Sequence, residues 1–314
     1  MKNQTQNQNI LFLSSFLSER LWGSYYFRDI MKITSSNEKI GEMWSCSAIK
    51  NSESRIMNGP LKGKTLQEVY NTRPDLFAYP REKEFPLLIK LISSTDRTSV
   101  QVHPNDEYAF KNENSLGKTE GWLILDSKKD STLIIGHNAK TKDELLSLIN
   151  KDRIDDLLNT TKVKNGNFYP IPAGTLHALG KDMLILEVQQ SSDITYRFYD
   201  YHRKDKNGNE RELQIDKVMD VVSLKPYKEE VKNCNDIKNG LLFKNEYFSI
   251  RTVSVNEKHT ITNNNEYLLV SIASGDFKLN NHELQLGETF IITALCKKTT
   301  ILGSGRILIT KKNN

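Results

Sequence analysis

The chain has 314 residues, 37% of them apolar and 26% charged, and its 44 basic against 39 acidic side chains leave a formal charge of +5. That length can bury one large core or two moderate ones, and the composition is that of an ordinary globular protein. The positive excess is too diffuse for a nucleic-acid partner but suits a small anionic substrate, and no apolar run approaches the roughly 20 residues that span a bilayer.

Residues 1–9 have no basic stretch followed by a long apolar one and are read as a disordered polar tail. Cys46, Cys234 and Cys296 are few and far apart, which predicts a reducing, cytoplasmic setting. Thr65 with Glu68 makes a capping-box pair and predicts a short helix over 65–70. Short runs at 87–92, 100–102, 122–125, 132–135 and 183–188 are rich in Ile, Leu and Val and mostly bounded by Gly, Asn, Asp or Ser. That is the pattern of a sandwich or barrel. Between them, Thr141 with Glu144 offers a second capping box, and Leu145, Leu146, Leu148, Ile149, Ile154, Leu157 and Leu158 recur at close to 3.6 residues. This helical stretch is predicted to break at Asn150-Lys151-Asp152. Past Tyr227, residues 228–233 read as a charged linker, and runs at 241–243, 248–253, 267–272, 290–293 and 306–309 predict a second small β-barrel. There Gly287, Ile292 and Ala294 repeat the spacing of Gly166, Ile171 and Ala173, as in a copy of the first barrel without its ligands.

The chemistry concentrates in three segments. Pro172, Gly174 and His177 form a Pro-x-Gly-x-x-His turn, with Gly166 six residues before the proline. Glycine opens backbone conformations closed to other residues and proline fixes φ, so a tight bend is expected to hold His177 at a barrel mouth. A second imidazole lies in Ser99-Val100-Gln101-Val102-His103-Pro104, and Glu120 ends Gly117-Lys118-Thr119-Glu120. Two imidazoles and a carboxylate from separate segments suit a divalent metal that keeps room for substrate. Pairing with Lys118 is the alternative for Glu120. Gln101, two residues before His103 on a strand, shares its face and is either a further ligand or a hydrogen-bonding group inside the barrel. His137, His202, His259 and His282 sit in polar surroundings with no matching partner.

Residues 85–90, 99–104, 117–120 and 172–179 follow one another as in type I mannose-6-phosphate isomerases, and the chain resembles the short bacterial form of that cupin family. Gly41-Glu42-Met43-Trp44 and residues 193–200 also fit, and the likeness covers most of 10–225. The resemblance implies a mainly β fold of two cupin (jelly-roll) barrels with a few inserted helices. A metal-binding catalytic domain would fill 10–230 and a ligand-free cupin-like barrel 231–314. It implies interconversion of mannose 6-phosphate and fructose 6-phosphate through an enediol or enediolate. One Zn2+ per chain would be held by His103, Glu120 and His177. Arg197 and Lys118 would be catalytic, and Lys90, Ser99 and Gln101 would contact the hexose 6-phosphate. The proton carrier stays open among water, Lys118, Glu187 and a histidine. No nucleic-acid or membrane partner is expected, and the oligomeric state is open. Two departures stand out: Gly121 where relatives often carry a bulkier residue, and Ser24 where a second glycine is common. Two other readings remain: an iron(II) cupin oxygenase built on the same donor set, and a sugar-phosphate-binding cupin without turnover. Lys90, Lys118 and Arg197 weigh against the first, intact ligands and Arg197 against the second.

Overall fold

The computed structural model describes residues 8–149 and 153–313; residues 1–7 of the expected tail and the predicted helix break at 150–152 lie outside them. The N-terminal strands are β1 (Ile10–Phe12), β2 (Phe16–Ser24), β3 (Ile40–Cys46), β4 (Leu87–Ser94), β5 (Val100–Val102), β6 (Glu120–Ser127) and β7 (Thr132–His137). Next come β8 (Leu158–Lys162), β9 (Asn167–Ile171), β10 (His177–Leu179), β11 (Met183–Gln190), β12 (Tyr196–Tyr199) and β13 (Lys232–Asn233). The C-terminal set is β14 (Asn239–Lys244), β15 (Phe248–Val255), β16 (Lys258–Thr262), β17 (Leu268–Leu279), β18 (His282–Leu284), β19 (Thr289–Ile292) and β20 (Lys298–Lys312).

They form three sheets. A seven-stranded one runs β13-β9-β6-β11-β4-β3-β2, a five-stranded one β12-β5-β10-β7-β8, and an eight-stranded one contains β1 and β14–β20. The first two face each other. Trp22, Ile92, Trp122, Ile124 and Ile185 of one meet Leu133, Ile135 and Leu179 of the other in a single buried cluster. Because side chains alternate along a strand, the opposite face of the seven-stranded sheet is apolar as well. There Ile89, Leu123, Leu186 and Val188 pack on Phe248, Leu269, Ile291 and Leu308 of the eight-stranded sheet. That sheet curls around its own core of Val253, Val270, Ile272, Phe277, Phe290 and Ile307. The architecture is mainly β, with two barrels, as expected, and the barrels stand back to back.

Helices are α1 (Tyr26–Asp29), α2 (Leu66–Thr72), α3 (Asp106–Glu113), α4 (Lys142–Ile149) and α5 (Ile215–Val221). Both threonine caps form, with Thr65 Oγ1 accepting from Glu68 N at 3.2 Å and Thr141 Oγ1 from Glu144 N at 3.1 Å. The glutamates, however, turn one residue upstream of the cap, Glu68 to Lys64 Nζ and Glu144 to Lys140 N. Helices α1, α3 and α5 were not foreseen. Among the described residues no helix is long and apolar enough to cross a membrane.

Pairing crosses the expected 230/231 boundary twice. β1 joins β19 of the C-terminal sheet, and β13 joins β9 of the first barrel. Gln8 and Asn9, assigned to the tail from sequence, bond through their carbonyls to Thr293. The spacing echo has a counterpart in three dimensions: Gly166 and Gly287 both take a left-handed φ, +88° and +79°, one or two residues before a strand.

Candidate active site

Register in the five-stranded sheet places Gln101 between His177 and Arg197 on neighbouring strands. Glu120 opens β6 in the facing sheet, and His103 directly follows β5. Ligand atoms of His103, Glu120 and His177 all lie within 4.8 Å of one another, and each residue is at most 1% exposed. His177 Nε2 is 3.3 Å from Glu120 Oε1, and His103 Nε2 is 3.5 Å from Glu120 Oε2. Backbone bonds tie the three loops together. Gly174 N donates to His103 O at 2.8 Å, Lys118 N to Pro104 O at 2.9 Å, and Ala173 N to Thr119 Oγ1 at 3.3 Å. Gly174 takes φ +85°, and a side chain there would press on Val221 O at 3.0 Å, so the turn needs its glycine.

The protonation pattern follows from the partners. His177 Nδ1 lies 2.8 Å from Thr175 O, which only accepts, so Nδ1 carries the proton and the Nε2 lone pair faces Glu120. Lys118 Nζ, which only donates, lies 3.0 Å from His103 Nε2, so that nitrogen is unprotonated too and its lone pair accepts from Lys118. Burial pushes both imidazoles below their ordinary range, His177 to about 4, with the Lys118 charge adding to the effect. Burial raises Glu120 to about 7, although Lys118 opposes the shift from 3.0 Å. Lys118 approaches as an ion pair, yet neither Glu120 oxygen accepts a hydrogen bond of normal geometry. A buried carboxylate with open lone pairs, facing two neutral imidazole nitrogens, fits a divalent cation. Gln101 turns its amide to within 3.4 Å of His177 Nε2, in reach of the same point.

Beside this set opens a cavity of about 360 Å³. Lys90, Ser99, Gln101, Lys118 and Arg197 all line it, so the structure gathers every expected substrate-contact and catalytic residue around one space. One wall is a row across the seven-stranded sheet, Trp44, Lys90, Glu187 and Trp122 in register. Lys90 Nζ sits 3.0 Å from Glu187, 3.9 Å from Glu42 and 4.9 Å above the Trp44 ring. Arg20 grips Glu42 through two bonds of 3.1 Å. Trp44 Nε1 donates to Glu42 and Trp122 Nε1 to Glu187, each at 2.7 Å. Burial alone would raise both carboxyls, but the Lys90 ammonium reverses this, with Arg20 helping at Glu42 and Lys118 at Glu187. Glu42 falls to about 2, and Glu187 also lies below its usual range. Lys90 is therefore balanced by two carboxylates. Arg20 and Arg211 went unnoticed in the sequence, and Glu42 was marked only as part of the Gly41–Trp44 match, with no role; the alternation Arg20-x-Trp22 and Glu42-x-Trp44 was the available signal.

Arg197 lies opposite. Its guanidinium donates to Glu212 O at 2.7 Å, and its Nε is buried without a partner. Asp200, a candidate to neutralise it, instead grips Arg203 and Arg211, the latter through bonds of 2.7 and 2.5 Å. Burial and then the Arg211 charge push the Arg197 pKa down. Among the described ion pairs Arg197 has no carboxylate.

The profile of the phosphomannose isomerase type I catalytic domain matches residues 10–120, and that of the mannose-6-phosphate isomerase cupin domain residues 239–311. A protein named probable mannose-6-phosphate isomerase GmuF, from Bacillus subtilis, is 40% identical over 309 residues, covering 96% of this chain and 98% of that one. Mannose-6-phosphate isomerase ManA of the same organism is 40% identical over 278 residues, 87% of this chain and 88% of its own. The crystal structure of a mannose 6-phosphate isomerase from Bacillus subtilis superposes with a TM-score of 0.87 at 36% identity, covering 96% and 99% of the two chains. With such likeness along nearly its whole length, the chain belongs to the type I mannose-6-phosphate isomerase family.

Proposed function

We propose that this chain interconverts mannose 6-phosphate and fructose 6-phosphate, using one Zn2+ held by His103, Glu120 and His177. The observation that carries the reading is the convergence of these three groups beside a cavity lined by Lys118 and Arg197. Near-complete alignment with GmuF supports the reaction. Every residue lining the cavity falls between 20 and 211, which supports a catalytic domain over 10–230 with 231–314 as a ligand-free second barrel.

An aldose becomes a ketose when a base on the cavity wall, such as Glu187, takes the proton from C2. The electron pair left behind forms a C1–C2 double bond, and the carbonyl pair moves onto O1, which gains a proton. The base then returns its proton to C1 while O2 gives up its own and becomes the carbonyl oxygen. The obstacle is negative charge on oxygen, and fixed positive groups relieve it. When bound, zinc acts as a Lewis acid toward those oxygens. Arg197 faces the cavity with a guanidinium that no carboxylate neutralises, so it holds the charge that develops on the sugar. Lys118 touches Glu120, His103 and the cavity at once, and in this reading it gives and retrieves the proton at the sugar oxygens. Lys90 and Ser99 offer donors to the sugar hydroxyls or phosphate. Glu187, fixed by Lys90 and Trp122, keeps its charge beside them.

The test is turnover of mannose 6-phosphate before chelation, after it, and after return of zinc or iron(II). Chelation is expected to abolish isomerisation and zinc to restore it. Full turnover by metal-free protein would sink the reading, and oxygen uptake with iron in place of isomerisation would move the chain to the oxygenases.

A further inference from the structure

The segment 117–119 carries Lys118 and leads into Glu120, yet it lies beyond the sheet ladder, whose last pair is Gln189 with Glu120. Past that point side chains hold it. Gln190, 4% exposed and absent from both the cavity wall and the ligand set, accepts from Thr119 N through Oε1 at 2.9 Å. Its own backbone N donates to Thr119 O at 3.1 Å. The other end of the same amide, Nε2, donates to Asp106 Oδ1 at 2.9 Å, and that oxygen also accepts from Gly117 N at 2.7 Å. Only glycine fits at 117, since a side-chain carbon there would meet the Asn105–Asp106 backbone at 2.5 Å.

We propose that Gln190 and Asp106 are positioning residues that set where Lys118 and Glu120 stand relative to His103 and His177. The inference rests on the reading of Glu120 as a metal ligand. The amide must accept at one end and donate at the other, because Thr119 N–H only gives and the Asp106 carboxylate only takes. Without it, the Thr119 donor is stranded in the interior. The segment is then held by the backbone bonds Lys118 N to Pro104 O and Gln190 N to Thr119 O, by the Thr119 hydroxyl and by the bond from Gly117 N to Asp106. Groups that orient a ligand from behind in this way typically change metal affinity or activity by about 10–100-fold when removed.

The polarity of the chain supplies the test. Q190E keeps an acceptor for Thr119 N but sets a carboxylate against Asp106. The exchange D106N/Q190E removes the like-charge contact and lets the amide placed at 106 donate to the carboxylate placed at 190, while Thr119 N keeps its acceptor. Gly117 N gives up its own, because the single oxygen Asp106 Oδ1 serves both bonds in the wild type. Zinc affinity by chelator competition, thermal midpoint, kcat and KM for mannose 6-phosphate are measured on full-length wild type and both variants. Q190E is expected to lose about 10–100-fold in zinc affinity and kcat with KM nearly unchanged, and the exchange to regain part of the loss. Unaltered zinc affinity and kcat in Q190E, or a loss that the exchange does not repair, would overturn the proposal. Wild-type protein that takes up no divalent metal would instead sink the metal-centre reading on which it stands.

Discussion

Glu120 has more to gain from a cation than any other side chain in the site. Its carboxyl is raised to about 7 chiefly by burial. A raised acid favours the folded state while protonated, and that benefit is lost as pH climbs from the ordinary carboxylate range through the folded value. Glu120 by itself therefore takes stability from metal-free protein between about pH 4.5 and 7. His103 and His177, held neutral below their ordinary range, add stability over the lower part of that window. A bound cation keeps Glu120 ionised without its loss. Because both imidazoles are already neutral there, the proton that competes with metal in this window is the one on Glu120. The gap in melting temperature between zinc-loaded and metal-free protein is expected to widen from about pH 5.5 to about pH 7.5. Glu120→Gln should remove the falling contribution of Glu120 from the metal-free curve. Melts at both pH values check this, and a gap that narrows would remove Glu120 from the account. The three ligand candidates could be read from the sequence because each carries metal-binding chemistry at a strand–turn junction. The partnership of Arg20, Glu42, Lys90 and Glu187 could not, since it depends on cross-strand register between residues 22 to about 100 positions apart.

Strand β6 explains one departure from the family pattern. A side-chain carbon at Gly121 would come within 2.2 Å of the Phe168 ring on β9, so glycine is the residue that lets this phenylalanine fill the outer face. Gly121→Val should overpack that contact and destabilise by about 1–3 kcal/mol, read as a lower urea midpoint at unchanged slope; an unchanged midpoint would mean that Phe168 swings aside freely. Strands β4, β6, β7 and β11 were visible as runs of Ile, Leu and Val because they are buried on both faces. β2 and β3 escaped notice because their inward positions carry Arg20, Trp22, Glu42 and Trp44, the polar and aromatic lining of the cavity. Helix α3 escaped because Ala109 is its one buried side chain, which leaves no apolar stripe. Its start signal was present in Asn105, whose Oδ1 accepts from Tyr108 N at 3.0 Å.

The molecule is built around one shared wall. The inner face of the seven-stranded sheet lines the cavity, and its outer face rests on the second barrel. Ser45 on β3, Thr289 on β19 and Ser271 on β17 form a buried chain of hydroxyls with spacings of 2.9 Å. Gly287 packs so closely that a side chain there would strike Leu91 and Met43, neighbours of Lys90 and Glu42. The repeat spacing in the sequence hinted at a second barrel; no pattern in it could say which face that barrel would cover. β1 is the other surprise, with Ile10, Leu11 and Phe12 all buried against the C-terminal sheet. Burial of such side chains is worth about 1.5–3 kcal/mol each, so removing residues 1–12 should lower the denaturant midpoint markedly; an unshifted midpoint would show that β1 adds nothing. The bond from Thr293 Oγ1 to Gln8 O spans 285 positions. A ribosome therefore releases β1 long before β19 exists, and β1 must wait, unpaired, until that partner has been made. Closing so long a loop slows folding more than it weakens the finished protein, so β1 is among the later strands to find its place.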